Sequence, residues 1–365
     1  MNPIRQLKDL GQSLWLDNIT RTMLDDGTLA RYITDYSVTG LTSNPSIFDA
    51  AISEGHAYDA GIRAKTKQGR RGEDLFIELA LEDLRRAADL FRPAFEASRR
   101  VDGWVSMEVS PLLASDTAGS VAAAQRIHDA AGRDNLLVKI PGTPAGVPAI
   151  EEAIFLGIPI NVTLLFSRAQ YVAAAEAYMR GIERRIAAGK SPAIGSVASL
   201  FVSRWDVAAN KQLPTPQHNL LGIAVAQQTY RAYRDLLASP RWQKLAGAGA
   251  LPQRMLWAST GTKDPAAPDT LYVGALAAPD TINTLPEKTL RAFADHGTLS
   301  SALVSDGGNF ESVLEQVARA GVDVDALAST LQKEGEQSFV KAWNDLLKCI
   351  ADRAETIAPA QDRVA

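Results

Sequence analysis

Short apolar segments alternate with longer segments of helical character along most of this chain. Eight short segments have the composition of buried strands and are bounded by turn residues. The eight strand candidates are Leu14–Asp17, Val38–Ser43, Gly103–Val109, Asn135–Ile140, Ile158–Leu165, Ile194–Val202, Met255–Ser259 and Asp280–Thr284. Between them, Glu73–Arg92, Tyr171–Ala188 and Asn219–Ser239 have helical periodicity or composition, and the last two end at Gly189 and Pro240.

Repeated strand–helix units predict an α/β fold with a parallel sheet, either a closed (β/α)8 TIM barrel or an open doubly wound sheet. No Gly-x-Gly-x-x-Gly follows the first strand, which disfavours a dinucleotide-dependent dehydrogenase. The segment from about Phe310 to Ala354 is helical in pattern, with breaks near Gly321 and Gly335. No linker rich in Pro, Gly or Ser is visible. We therefore expect residues 1–365 to form a single barrel domain, with residues 300–365 a helical C-terminal extension packed on the barrel.

Composition narrows the possible functions of this domain. The 365 residues carry a net charge of −4, which argues against a nucleic-acid partner. One cysteine and four scattered histidines provide neither a disulfide nor the spacing of a metal site, so we expect no metal. We expect no cofactor either. The most apolar stretch, Ala153–Phe166, is shorter than the roughly 20 residues of a membrane span. No signal peptide is apparent, and we expect a cytoplasmic protein without a membrane partner.

A lysine interrupts one of the apolar strands. Lys139 lies in the run Leu136–Pro141, where a parallel sheet covers both faces of the strand. A single lysine in such a place is often structural, with its stem on apolar surface and its amine reaching water or an acid. The alternative is a buried amine that attacks a carbonyl and forms a Schiff base.

Other polar residues also lie within predicted strands or near their ends. Period two places Ser106 with Glu108, and Asn161 with Thr163, on one face of their strands. Further candidates near strand ends are Asp17, Asn44, Ser199, Phe201 and Arg204. Taken singly, such residues also serve as helix caps or turns. Because active sites of barrels lie at the C-terminal ends of the strands, the cluster of one amine, two carboxylates and several neutral donors favours carbonyl chemistry.

Two cations extend this cluster. Arg204 and Lys263 follow late strands of a mildly acidic protein. Either could be an ordinary solvated surface residue. Together they favour an anionic ligand, because the arginine fork suits a phosphate group.

At these positions the sequence resembles the transaldolase family, in particular its longer bacterial members. Five segments carry the resemblance in family order, within a stretch from about residue 14 to residue 290. They are Leu41–Ser46, Met107–Ser110, Leu137–Pro141, Ile160–Ser167 and Ser199–Arg204. The resemblance implies a (β/α)8 barrel that moves a dihydroxyacetone unit in the non-oxidative pentose phosphate pathway. The donor would be sedoheptulose 7-phosphate or fructose 6-phosphate, and the acceptor glyceraldehyde 3-phosphate or erythrose 4-phosphate.

The resemblance also implies catalytic roles. Lys139 matches the lysine that forms the Schiff base. Asp17 matches the carboxylate that moves the proton of the C4 hydroxyl during carbon–carbon cleavage. Glu108 and Thr163 match the pair that holds and activates a catalytic water.

Binding roles follow from the same resemblance. Asn44 and Asn161 match amides that bind the hydroxyls of the dihydroxyacetone unit. Ser199 and Phe201 match residues that line the pocket, and Arg204 matches the arginine that binds phosphate.

One position departs from the family pattern. Many transaldolases have Ser-x-Arg after the seventh strand, with both ends near the phosphate. Here Ser259 matches, but Gly261 occupies the arginine position. We expect Lys263, two residues further on, to take the role of that charge.

Two other functions remain open at this level. A class I aldolase would release free dihydroxyacetone from the same intermediate, and a non-catalytic barrel would only bind sugar phosphates. The sequence is compatible with either a monomer or a homodimer. By analogy, we expect the segment from about Ser300 onward to lie over the end of the barrel that holds the site.

Overall fold

The computed structural model describes residues 3–299 and 301–357. These residues contain eight strands, and each begins and ends within two residues of the predicted segment. They are β1 (Ser13–Asp17), β2 (Val38–Thr42), β3 (Val105–Glu108), β4 (Leu136–Pro141), β5 (Ile160–Leu165), β6 (Ser196–Phe201), β7 (Gln253–Ala258) and β8 (Thr281–Leu285).

The eight strands form one parallel sheet that curves into a nearly closed barrel. Their order is β2-β1-β8-β7-β6-β5-β4-β3, so the first and last strands of the chain pair with each other. The remaining edges, β2 and β3, meet where the Leu41 N–H donates to the carbonyl of Trp104 over 3.0 Å. Gly40 permits this approach, since a Cβ there would lie 2.6 Å from the same carbonyl oxygen. The structure therefore confirms the barrel and excludes the open sheet.

Each strand divides its side chains between the two sides of the barrel wall. In β4, Leu136, Val138 and Ile140 belong to the large apolar cluster between the strands and the surrounding helices. Leu137 belongs to a smaller cluster with Trp15 and other residues. Alternation explains why the strands read as nearly continuous apolar runs: one face packs against helices and the other fills the interior.

Sixteen α-helices accompany the strands in the described residues. They are α1 (Pro3–Leu10), α2 (Arg21–Asp25), α3 (Thr28–Asp35), α4 (Pro45–Ser53), α5 (Asp59–Lys67), α6 (Gly72–Ala97), α7 (Thr117–Ala131), α8 (Gly146–Leu156), α9 (Arg168–Ala187), α10 (Ser203–Ala209), α11 (Leu221–Ala238), α12 (Pro240–Gly247), α13 (Leu271–Ala275), α14 (Glu287–His296), α15 (Phe310–Arg319) and α16 (Val324–Ile357).

Local signals explain the start of α9 and the ends of α9 and α11, which correspond to two of the three predicted helices. A capping box starts α9, because the side chain of Ser167 accepts from the Gln170 N–H and that of Gln170 accepts in return. Gly189 follows this helix with a positive φ of 68°, a conformation in which glycine has no steric cost. The helix α11 ends just before Ser239, and Pro240 begins α12, as is typical of proline in a first helical turn.

The C-terminal segment is helical as predicted, but the break expected near Gly335 is absent. The helix α16 runs through Gly335 without interruption. A Cβ at this position would lie 2.9 Å from Cδ2 of Leu164, so the glycine serves close packing of the helix on β5. The break at Gly321 is present, with a positive φ of 90°. Residues 300 and 358–365 of the predicted extension lie outside the described residues, and its full extent stays a prediction.

Candidate active site

One pocket at the C-terminal end of the barrel gathers most of the residues singled out in the sequence. Its volume is about 200 Å³. Nine of the eleven candidates line it: Asp17, Asn44, Lys139, Thr163, Ser199, Phe201, Arg204, Ser259 and Lys263. The other two, Glu108 and Asn161, are buried in the barrel wall beside it. The resemblance also implied that the C-terminal segment covers this end, and Ser338 and Phe339 of α16 do contribute to the pocket.

Lys139 is buried in the wall of the pocket, with 6% of its surface exposed. Its Nζ donates a hydrogen bond to the carbonyl of Ser43 over 2.7 Å. Nζ also lies 3.4 Å from Oε1 of Glu108. The two residues are neighbours because β3 and β4 pair in parallel with Glu108 opposite Lys139. Parallel pairing thus places an amine and a carboxyl group side by side in a site largely shielded from water.

Glu108 can exchange protons near neutral pH. Burial raises the pKa of its carboxyl group to about 7, against the opposing effect of the nearby Lys139. Oε2 of this carboxyl group has no hydrogen-bond partner among the described residues. A buried carboxyl oxygen of this kind is suited to a hydroxyl group or a water molecule, since burial without a partner is unfavourable.

Asp17 ends β1 and faces the same pocket. Its Oδ1 accepts a hydrogen bond from Thr42 over 2.8 Å, and the hydroxyl of Thr42 lies 2.7 Å from that of Thr284. Burial raises the pKa of the Asp17 carboxyl group, while Thr42 and the charge of Lys139 act in the opposite direction. Pairing of β1 with both β2 and β8 brings these three side chains together.

Asn161 lies in the interior behind the pocket surface and is fully buried. Its Nδ2 donates to Ser106 over 3.2 Å, and its Oδ1 accepts from Ser199 over 2.7 Å. Ser199 reaches the pocket, so Asn161 orients a lining residue. Thr163, two positions along β5, lines the pocket itself.

The strand β5 is irregular next to Thr163. Its register with β6 shifts between Val162 and Leu165, and Leu164 has a positive φ of 56°. A branched side chain rarely adopts this conformation, and such strain concentrates at functional sites. The distortion sends Leu164 into a separate apolar cluster above the barrel, which also contains Phe166.

Two cations stand at the outer part of the pocket. The guanidinium carbon of Arg204 lies 5.4 Å from the centre of the Phe201 ring. Burial lowers the pKa of Arg204, although Glu334 on α16 opposes this effect. Lys263 is exposed and lines the pocket from the segment after β7. Within residues 3–299 and 301–357, neither cation forms an ion pair, so both are available to an anion.

Asn44 and Ser259 line the pocket, and each also forms a contact within the protein. Asn44 caps α4, since its Oδ1 accepts from the Ile47 N–H over 3.2 Å. This leaves the amide N–H groups of its side chain for a ligand. Ser259 has a positive φ of 56°, and its hydroxyl lies 2.9 Å from that of Ser203.

Sequence reasoning missed several residues of the pocket. Thr42 belongs to the segment Leu41–Ser46, which pointed only to Asn44, and Thr284 is a polar residue in the apolar strand β8. Both are polar residues at strand positions, so the rule that singled out Glu108 and Thr163 would also have found them. Ser338 and Phe339 carried no such signal, because nothing in a helical pattern shows which barrel strands the helix will cover.

Among the described residues, no group of three or more His, Cys, Asp or Glu side chains is arranged to hold a metal ion. The search for membrane spans, limited to the same residues, found no helix with the length and apolar character required.

Comparison with known proteins shows the family to which this chain is similar. The family model described as "Transaldolase/Fructose-6-phosphate aldolase" matches residues 14–350. A transaldolase of Thermobifida fusca (strain YX) is 44% identical over 96% of this chain and 98% of its own length. A transaldolase of Arthrobacter sp. (strain FB24) is 44% identical over 94% of this chain and 95% of its own. "Transaldolase 2" of Nostoc punctiforme (strain ATCC 29133 / PCC 73102) is 38% identical over 98% of this chain and 99% of its own.

Proposed function

This chain belongs to the transaldolase/fructose-6-phosphate aldolase family, and we propose that it is a transaldolase that works through a Schiff base on Lys139. It transfers a dihydroxyacetone unit from a ketose phosphate, sedoheptulose 7-phosphate or fructose 6-phosphate. The acceptor is an aldose phosphate, glyceraldehyde 3-phosphate or erythrose 4-phosphate. The single observation that carries the proposal is the buried amine of Lys139, 3.4 Å from Glu108, in a pocket that is also lined by the cations Arg204 and Lys263.

Substrate binding follows from the distribution of charge in the pocket. The phosphate binds to Arg204 and Lys263, because neither cation has an ion-pair partner among the described residues. The carbonyl carbon of the ketose then lies toward Lys139, on the inner side of the pocket. Asn44, Ser199 and its partner Asn161 arrange the hydroxyl groups of the dihydroxyacetone unit, while Phe201 and Ser259 line the pocket.

Schiff-base formation uses Lys139, Glu108 and Thr163. The amine in its neutral form attacks the ketone carbon, and the resulting carbinolamine loses water to give the iminium ion. Glu108 accepts and returns the protons of these steps, which its pKa of about 7 favours at neutral pH. Thr163 and Glu108 hold the water that is lost here and that adds again when the product is released.

Carbon–carbon cleavage uses Asp17. Its carboxylate accepts the proton of the C4 hydroxyl, and the electron pair of the C3–C4 bond moves into the iminium ion. An aldose phosphate leaves, and an enamine remains on Lys139. The acceptor aldehyde then binds, and the same steps run in reverse to form the new ketose phosphate. Thr42 supports this role because its hydrogen bond orients the Asp17 carboxyl group.

The phosphorylated substrates suit the non-oxidative pentose phosphate pathway of the cytoplasm, and we propose that the enzyme acts there. The aldolase alternative differs only in the fate of the enamine, which would be protonated and released as free dihydroxyacetone. A non-catalytic barrel would bind the same sugar phosphates without forming an adduct.

Reductive trapping tests the proposal directly. Borohydride added with fructose 6-phosphate is expected to leave a reduced three-carbon adduct on Lys139, located by mass spectrometry of peptides. Lys139→Ala is the negative control, and Lys263→Ala at saturating substrate should still form the adduct. Absence of an adduct in the unmodified protein would contradict the proposal. Donor incubated with and without erythrose 4-phosphate separates the activities, since an aldolase releases dihydroxyacetone at the same rate in both.

A further inference from the structure

The helix α16 crosses the C-terminal end of the barrel directly above the pocket. Its Gln332 side chain donates to the carbonyls of Gly142 and Leu164 over 3.1 and 3.0 Å, which ties the helix to β5 and to the segment after β4. Gly335 lets the helix backbone approach Leu164 closely. Further along, Trp343 packs edge-on against Phe76 with ring centres 5.3 Å apart. Contacts on both sides of the pocket therefore hold the middle of this helix in place.

The middle of α16 presents an aromatic ring to the reacting amine. The centre of the Phe339 ring lies 6.0 Å from Nζ of Lys139, and the residue lines the pocket. The ring is half-buried and packs against the apolar cluster that contains Leu164 and Phe166. The polar partners of Nζ are the carbonyl of Ser43 and the carboxyl group of Glu108. Phe339 is therefore an apolar surface near an amine whose immediate partners are polar.

We propose that Phe339 is a specificity-determining residue that decides whether the enzyme transfers its dihydroxyacetone unit or releases it to water. This inference rests on the proposed function, because it concerns the enamine carried by Lys139. A phenyl ring offers no hydrogen bond that would stabilise water beside the reacting carbon, so it disfavours protonation from solvent.

The two fates of the enamine differ in what C3 binds. In transfer, the enamine electron pair forms a bond from C3 to the carbonyl carbon of the acceptor, whose oxygen takes a proton. In release, the same electron pair takes a proton from water at C3 and gives the iminium ion of dihydroxyacetone. Water then adds at C2, and the C2–N bond breaks to leave dihydroxyacetone and the free amine. Only the second route requires water to reach C3 before the acceptor does.

Truncation of Phe339 tests the inference through the ratio of the two products. With fructose 6-phosphate and erythrose 4-phosphate, we expect Phe339→Ala to raise the ratio of free dihydroxyacetone to sedoheptulose 7-phosphate, the product of transfer. A change of about 1.4 kcal/mol in the relative barriers would raise this ratio about tenfold. Phe339→Leu fills part of the space, so its ratio should lie between those of Phe339→Ala and the unmodified enzyme.

Phe76→Leu is the matched control, because it tests whether looser packing of α16 alone changes the product ratio. It alters the packing of α16 at Trp343, and neither Phe76 nor Trp343 lines the pocket. It should therefore leave the product ratio unchanged even if it slows both reactions. The inference is overturned if Phe339→Ala slows release and transfer equally, or if Phe76→Leu changes the ratio as much as Phe339→Ala. Trapping and transfer by the unmodified enzyme are measured first. Their failure would overturn the proposed function, whereas an unchanged ratio in an active enzyme overturns only the role of Phe339.

Discussion

Both ends of the barrel interior bury an acid beside a base, but they bond these groups in different ways. At the N-terminal end, Oδ1 of Asp102 accepts from Nε1 of Trp15 over 2.8 Å, and Oδ2 accepts from Ser13 over 2.5 Å. Arg254 donates to Ser13 and to the carbonyl of Thr281, each over 2.8 Å. Both oxygens of this carboxylate are thus occupied by protein groups.

At the C-terminal end, the charged groups in and beside the pocket have hydrogen-bonding positions that the described residues do not fill. Oε2 of Glu108 has no partner within the described part of the chain, and the carboxyl pKa is raised to about 7. Arg204 and Lys263 have no carboxylate in ion-pair contact there. Burial alone therefore does not distinguish a functional charge from a structural one. The difference lies in whether the protein itself fills the hydrogen-bonding positions of the buried groups.

The largest expected effect tests the reactive end of this comparison. Lys139→Ala should lower transaldolase activity by roughly 10⁴-fold or more, because the bond-forming amine is lost. The fold should survive, since the neighbouring Glu108 can become neutral by binding a proton. Activity assays together with thermal unfolding check both parts. Residual activity near that of the unmodified protein would contradict the Schiff-base proposal.

Removal of the acid at the other end should affect stability and spare the chemistry. Nη1 of Arg254 lies 3.8 Å from Oδ2 of Asp102. Asp102→Ala leaves this buried guanidinium without its carboxylate, which is expected to lower the free energy of unfolding by about 3–5 kcal/mol. Urea unfolding measures this change. Activity per folded molecule should remain, because Asp102 lies at the opposite end of the barrel from the pocket. If the variant loses activity while remaining folded, the two ends are not independent.

Substitution of the pocket cation Arg204 should have a smaller effect that is selective for phosphorylated substrates. Arg204→Ala should raise KM for fructose 6-phosphate by about ten- to a hundredfold, since a hydrogen bond to a charged group contributes about 1.5–3 kcal/mol. Unphosphorylated fructose at high concentration should be used almost as well as by the unmodified enzyme. Steady-state kinetics with the two sugars provide the comparison. Equal losses on both would show that Arg204 acts on the structure of the pocket instead of on the phosphate.

The smallest expected effect is a pH-dependent difference in stability. The pKa of Glu108 is raised from 4.5 to about 7, so the folded protein binds more protons than the unfolded chain between these values. The contribution of Glu108 to stability is thus present below pH 4.5 and is lost as the pH rises toward 7. The free energy of unfolding of the unmodified protein relative to Glu108→Gln should decline across this window. A difference that stays constant with pH would contradict the raised pKa.

Patterns within single segments revealed the fold and several pocket residues. Buried parallel strands produce apolar runs, and these located all eight strands to within two residues. The same rule exposed Lys139, because a charge within such a run stands out against its neighbours. The structure then places Lys139, Asp17 and Thr163 around one pocket. Their catalytic roles remain predictions that the experiments above address.

Patterns within single segments could not predict contacts between residues that are distant in the sequence. The hydroxyls of Thr42 on β2 and Thr284 on β8 meet at the end of β1, which lies between these strands, and no local pattern encodes their meeting. Gly335 was read as a helix break because glycine weakens an isolated helix. Its role depends on Leu164, 171 positions earlier in the chain, against which the bare backbone packs. The place of Phe339 above Lys139 depends on the same docking.

The pairing of β1 with β8 delays closure of the barrel until most of the chain has been synthesised. Trp15 of β1 pairs with Thr284 of β8, so the ribosome must add more than 260 residues before the barrel can close. At about 5–20 residues per second, this takes roughly 10–50 seconds. Until β8 has been synthesised, the edge of β1 that pairs with it has no partner, and an unpaired strand edge can pair with other chains. Asp17 and Lys139 are translated early, yet they acquire their finished surroundings only after α16 has left the ribosome.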